Sequence, residues 1–191
     1  MPQYFLPGRD ESSYDFRLPF NWTGVKRKIT LPWGEVSLDM SLFQAAVVAV
    51  AALGVNVPNS YSGIPNRPEF LLLEWFTDAD NLELMALTYK SLPPEEAVQH
   101  DAFYWMSKAV RDVFNVHTEM VWDMSREVML KHIKAGHAMH IEATSEPNYI
   151  ALVGYDSTED EFITKEGWEH CCQIDTYFPC HLTNRAMAYW L

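Results

Sequence analysis

Asn148-Tyr149-Ile150-Ala151-Leu152-Val153-Gly154-Tyr155-Asp156, followed by Phe162-Ile163, decides the fold class. Tyr149 to Val153 is a continuous apolar run, which predicts a buried strand. Gly154 to Asp156 predicts a tight turn, and Phe162-Ile163 a second short strand behind it. Just upstream, Gly136 ends a helix, and an apolar strand is expected over 138–143.

Working outward, Ser41 begins the clearest helix, expected over 41–53 with Gly54 as its stop. Ala45 to Ala52 make it apolar all round, so it belongs in the centre of the core. Residues 55–68 read as a loop. A helix is predicted over 79–90, capped by Asp78. Ser91-Leu92-Pro93-Pro94-Glu95-Glu96 is a helix start, with proline in the first turn and two acids at the positive end of the dipole. That helix is expected to reach about Phe114. Another spans 124–135 and ends in Lys131, His132 and Lys134. Further strands are expected at 149–154, 161–164 and near 172–177 and 186–190. Helices precede strands, which predicts an α+β fold. Residues 1–36, with four prolines, read as an irregular arm, and residues 37–191 as one domain.

Composition narrows the function. The chain has 191 residues and a formal charge of −12, with 48% hydrophobic residues, so it folds around a sizeable core. Residues 1–30 carry +2 and residues 31–191 carry −14. Such a body repels phosphate backbones, so no nucleic-acid partner is expected. An acidic inhibitor of a basic partner is one use of the charge. The cluster Lys26-Arg27-Lys28 reads as a solvated strand edge. The start Met1-Pro2-Gln3-Tyr4-Phe5 has no signal-peptide pattern, and the longest apolar run, about 11 residues, is too short to span a bilayer. All three cysteines lie in the last 21 residues and cannot all pair, which favours reduced thiols. The setting expected is cytoplasmic or virion-associated, and Asn21-Trp22-Thr23 is an accidental sequon.

The order of central helix, helices and antiparallel strands resembles the papain-like cysteine peptidases, and most closely the bacteriocin-processing (double-glycine leader) peptidase-like family. In that family a Cys-Gly-Pro-x-Ser-Leu-Ala run opens the central helix, and here Ser41-Leu42-Phe43-Gln44-Ala45-Ala46-Val47 stands on it. A helix and Gly-x-Pro-Val then lead to a strand, matched by Leu130 to Met139. His-Tyr-Val-Val-Val-x-Gly-Tyr-Asp follows, matched by Asn148 to Asp156. The resemblance covers roughly residues 35–170 and implies a papain-like fold, with the central helix packed on an antiparallel sheet. It also implies the positions of the catalytic groups. The nucleophile's place holds Ser41, the base's place Asn148, the orienting residue falls near Lys165 or Glu166, and the oxyanion glutamine falls near Glu35.

Those substitutions remove the chemistry. Papain-type catalysis needs a thiolate, stabilised by a helix N-terminus and an imidazolium. A serine hydroxyl needs a general base, and Asn148 offers none near neutral pH. Glu35 would set negative charge against a developing oxyanion. Ser41 reads more simply as a helix N-cap, and Asn148 as a turn residue. The expected function is therefore that of a non-catalytic binding or assembly protein, with no cofactor and with a protein partner, another protein or a further copy in an oligomer, held through residues 1–36. Relatives of this family occur in bacteria and in bacteriophages, which suits a structural role in a virus particle. An active serine or cysteine peptidase or amidase stays open as the alternative.

Other clusters were weighed. His170-Cys171-Cys172 with Cys180-His181 could hold a metal or present a nucleophile, but adjacent ligands converge poorly and Cys-x-x-Cys is absent. His137 and His140 are three apart on a predicted strand, so they point to opposite faces. Asp78-Ala79-Asp80-Asn81 begins like a calcium loop but lacks its glycine and final acid, and reads as a helix start. Trp75, Phe76, Phe103, Tyr104 and Trp105 form a core cluster or a partner groove.

Overall fold

The computed structural model describes residues 3–5, 25–57, 60–61, 64–65, 68–122, 124–143, 149–158, 160–165, 172–174 and 182–191. In chain order the elements are β1 (Gln3–Phe5), β2 (Lys26–Leu31), β3 (Gly34–Asp39), α1 (Ser41–Ala52), β4 (Ser60–Tyr61), β5 (Ile64–Pro65), α2 (Glu69–Thr77) and α3 (Ala79–Ser91). Then come α4 (Pro94–Ala97), α5 (Ala102–Phe114), β6 (His117–Val121), α6 (Arg126–Lys134), β7 (Ala138–Ala143), β8 (Tyr149–Asp156), β9 (Glu161–Lys165), β10 (Cys172–Ile174) and β11 (Leu182–Trp190). The fold is α+β, with helices packed on an antiparallel sheet.

The main sheet runs β10-β9-β8-β7-β11-β6, every described pair antiparallel. β1 pairs with Gly154 to Asp156 of β8. β7 pairs only with residues 149–152 of that strand. β1 thus covers the part of the β8 edge that β7 leaves open.

The alternation of the strands sorts the core into two layers. Ala138, Ala151, Val153, Met187 and Tyr189 pack in one cluster with α1, α2 and α5. Met139, Ile141, Ile150, Leu152, Ala186 and Ala188 form the other with Met129 and Ile133 of α6. β8 is therefore covered on both faces, which is why its sequence is continuously apolar rather than alternating. α1 lies across β7 and β8 and is buried along nearly its whole length. Gly54 and Gly136 adopt φ of 85° and 84° just beyond α1 and α6, a left-handed turn that a side chain would strain.

Several expectations are met. α1 spans 41–52, Asp78 caps α3 by accepting from the Asp80 and Asn81 amides, and β7 spans 138–143. The aromatic cluster is core: Trp75, Phe76, Phe103 and Trp105 are buried, and Trp75 Nε1 donates to Asp112 Oδ2 at 3.1 Å.

Other expectations need correction. The segment read as an irregular arm contains β1 and β2, and the hairpin β2–β3 runs across the proposed boundary at residue 36. The helix expected from 93 to 114 breaks into α4 and α5. Asp101, in extended conformation (ψ −173°), caps α5 by accepting from the Tyr104 amide. α2 and β6 are elements the periodicity did not reveal: Glu69-Phe70-Leu71-Leu72-Leu73 has no apolar rhythm, and His117–Val121 is a half-exposed strand. The turn placed at Gly154 to Asp156 lies further on, because β8 continues to Asp156, whose Oδ1 then accepts from the Thr158 amide at 2.8 Å. Arg126 fastens this turn to α6, donating to the Asp160 main-chain oxygen at 2.6 Å and to its carboxylate, which also accepts from the Tyr155 hydroxyl.

Candidate functional site

Buried polar side chains stand at the start of α1, with Asp39, Ser41 and Gln44, and on β7, with His140. Ser41 is the first helical residue and is 1% exposed. The expectation that it caps the helix is not met. Met40 occupies the cap position with no side-chain bond, and the Ser41 amide donates to Asp39 Oδ1 at 2.8 Å. A carboxylate two residues ahead thus does the work the hydroxyl was expected to do. The Ser41 hydroxyl is buried without a hydrogen-bond partner among the described residues.

His140, on β7, pairs across the ladders with Ala151 and Met187, so it lies on the sheet face that packs on α1. Its exposure is 0%, and its Nδ1 lies 3.0 Å from the Tyr189 hydroxyl, while its Nε2 has no partner among the described residues. Burial lowers its pKa to about 3, so the imidazole is neutral across the physiological range. Tyr189 Oη also lies 3.7 Å from Met187 Sδ. If the hydroxyl hydrogen points at sulfur, His140 donates from Nδ1 and presents a bare lone pair at Nε2. Rings enclose this histidine, with Phe103 edge-on at 5.2 Å and Tyr149 at 5.7 Å between centroids.

An ion network closes the cluster. Arg185 Nε and Nη2 donate to the two carboxylate oxygens of Glu142 at 2.5 and 3.0 Å, and Nη2 also donates to Asp101 Oδ2 at 2.8 Å. The guanidinium lies 4.8 Å from the centre of the Phe103 ring, which stacks on Tyr149 at 5.6 Å. Burial opposes the charge of Arg185, but the bonds to Glu142 and Asp101 outweigh it and raise its pKa. Tyr149 is held protonated, first by burial and then by the carboxylates of Glu142, Asp101 and Asp39. The influence of Asp39 places the start of β8 within electrostatic reach of the start of α1.

The sequence-derived positions distribute unevenly among these groups. Ser41 is one of them. Glu35 is not: it is exposed on β3, its carboxylate 3.3 Å from Lys28, roughly 13 Å of extended strand from Asp39. Asn148, Glu166, His170, Cys171, Cys180 and His181 lie outside the described residues, and only the main chain of Cys172 is described, in β10. Among the described residues no group of three His, Cys, Asp or Glu is placed to hold a metal, and no helix is long and apolar enough to cross a membrane. His137 precedes β7 and is half-buried, its Nδ1 3.0 Å from that of His132 and its ring stacked on Trp190 at 4.7 Å. The spacing of His137 and His140 set them on opposite faces without saying which faced the core; the structure puts His140 there, and its partners were missed, as were Arg185, Glu142 and Asp101. The available signal was a lone charge in each of two apolar strands, Glu142 and Arg185, a pattern that predicts a buried pair.

Chemically, the cluster can hold a neutral imidazole, a protonated tyrosine and a neutralised guanidinium in fixed positions. Among the described residues it offers no exposed nucleophile. No family model, curated protein or solved structure matches the chain.

Proposed function

We propose that this chain is a papain-like domain, of the double-glycine leader peptidase type, that works as a binding or assembly component without peptidase chemistry. The observation that carries the reading is the start of α1. A nucleophile there would draw on the positive end of the helix dipole and on unoccupied amides. Asp39 supplies a negative charge instead and occupies the Ser41 amide, and the Ser41 hydroxyl is sealed from solvent. The same charge opposes any oxyanion forming nearby. The resemblance in order of elements, with an apolar helix lying across an antiparallel sheet, supports the ancestry.

Activity-based labelling tests the proposal. Native protein treated with a fluorophosphonate or with iodoacetamide is expected to show no labelling at Ser41, and no turnover of a double-glycine leader peptide. Fluorophosphonate labelling that disappears in Ser41→Ala would overturn it in favour of an active hydrolase. Iodoacetamide labelling of Cys171 accompanied by turnover that Cys171→Ala abolishes would do the same.

A further inference from the structure

We propose that the groove between β2 and α2 binds an extended peptide segment carrying a carboxylate beside an apolar side chain. The inference rests on the reading of the chain as a binding component and names the surface and the partner chemistry. The groove encloses about 420 Å³, within the range of a site for a few residues. Ile29, Phe70 and Leu73 make its apolar lining, and Arg27, Lys28, Glu74 and Thr77 supply its polar groups.

Three observations favour a peptide. First, β2 has β3 along one side, and among the described residues no strand pairs with its other edge. A strand edge beside a helix is the geometry in which an added strand gains main-chain hydrogen bonds while alternate side chains enter the groove. Second, the charge is local and opposite to that of the molecule. Lys26-Arg27-Lys28 stands on a chain of net −12, and although Lys28 is 3.3 Å from Glu35 of β3, Lys26 and Arg27 add positive charge that attracts an acidic segment here. The Arg27 guanidinium lies 5.6 Å from the centre of the Phe70 ring, which holds a cation next to the apolar lining. Third, Glu74 contributes a carboxylate from the helix side. The ligand's carboxylate is therefore directed to the β2 side, and its apolar group to Phe70 and Leu73.

The test uses the full chain and fluorescein-labelled hexapeptides, read by anisotropy at low salt. One peptide alternates leucine with glutamate, one leucine with lysine and one serine with glutamate. The leucine–glutamate peptide is expected to bind, and both others to bind at least about tenfold more weakly. Arg27→Glu combined with Lys28→Glu, both exposed on the hairpin, is expected to weaken it about tenfold. Thr77→Trp, which fills the groove from an exposed position, is expected to abolish binding. Circular dichroism checks that each variant is folded. Absence of binding, equal binding of the three peptides, or binding unchanged in the variants overturns the proposal. Mass spectrometry of the recovered peptide keeps the two readings separate. Cleaved peptide would refute the non-catalytic reading without touching the groove, and intact but unbound peptide refutes the groove alone.

Discussion

At the scale of single residues, His140 and Arg185 bear the largest electrostatic consequences. His140 is neutral in the folded protein, with a pKa lowered by burial to about 3, against an ordinary value of about 6.5. Between those values the unfolded chain binds the extra proton, so stability falls as pH falls, by up to about 1.4 kcal/mol per unit. Above pH 6.5 the contribution is fully present. Urea denaturation of wild type and His140→Gln from pH 7 to 4 is expected to show a shallower fall in the variant. Parallel slopes would mean that the histidine is not held neutral. Arg185 is a different case. Arg185→Met leaves Glu142 without its bidentate partner in a largely buried setting, at an expected cost of about 3 kcal/mol. Arg185→Lys keeps the charge but not the two-pronged geometry, and should cost less. The midpoint of chemical denaturation orders the two variants.

At the scale of elements, α1 and α3 are opposites. α1 is buried along its length, whereas α3 buries only Met85 and exposes Leu84 and Leu87. Native-state hydrogen exchange is expected to show α3 opening well before α1. Equal protection would indicate a cover on α3 that the described residues do not provide. Caps matter more on such a helix: Asp78→Ala should cost about 1 kcal/mol and raise exchange at the Asp80 and Asn81 amides. Asp101→Ala should cost more than that, because Asp101 both caps α5 and binds Arg185. A cap can be read from sequence as an acid before an apolar run, which is how Asp78 was found. The second role of Asp101 could not be read, since its partner lies 84 positions away.

At the scale of the whole molecule, the N-terminal strand ties the first residues to the sheet. Removing residues 1–6 would leave Gly154 to Asp156 without β1 on that edge of β8. The truncated protein is expected to melt at lower temperature and to aggregate faster on heating, since an open strand edge templates further pairing. Unchanged melting and solubility would show that β1 contributes nothing to the sheet. The histidine pair at the end of α6 adds to the acid sensitivity of the molecule. Burial, the first cause for both rings, lowers the pKa of His132 and His137, so each also destabilises the fold as pH drops below about 6.5.

The sequence by itself determined the α+β class, the central apolar helix, the strand at 138–143, most of the strand that begins at 149 and the cap at Asp78. Each is written in local chemistry: an apolar run of a given length, a glycine stop, an acid ahead of a first turn. Only the tertiary structure decided what surrounds Ser41. Asp39 takes its amide, and elsewhere in the core His140 of β7 meets Tyr189 of β11 while Arg185 of β11 lies over Phe103 of α5. The physical reason is that hydrogen bonds and ion pairs depend on angles and separations of a few ångströms between groups far apart in the chain. Periodicity fixes that His137 and His140 lie on opposite faces. It does not fix which group from another strand meets either of them there.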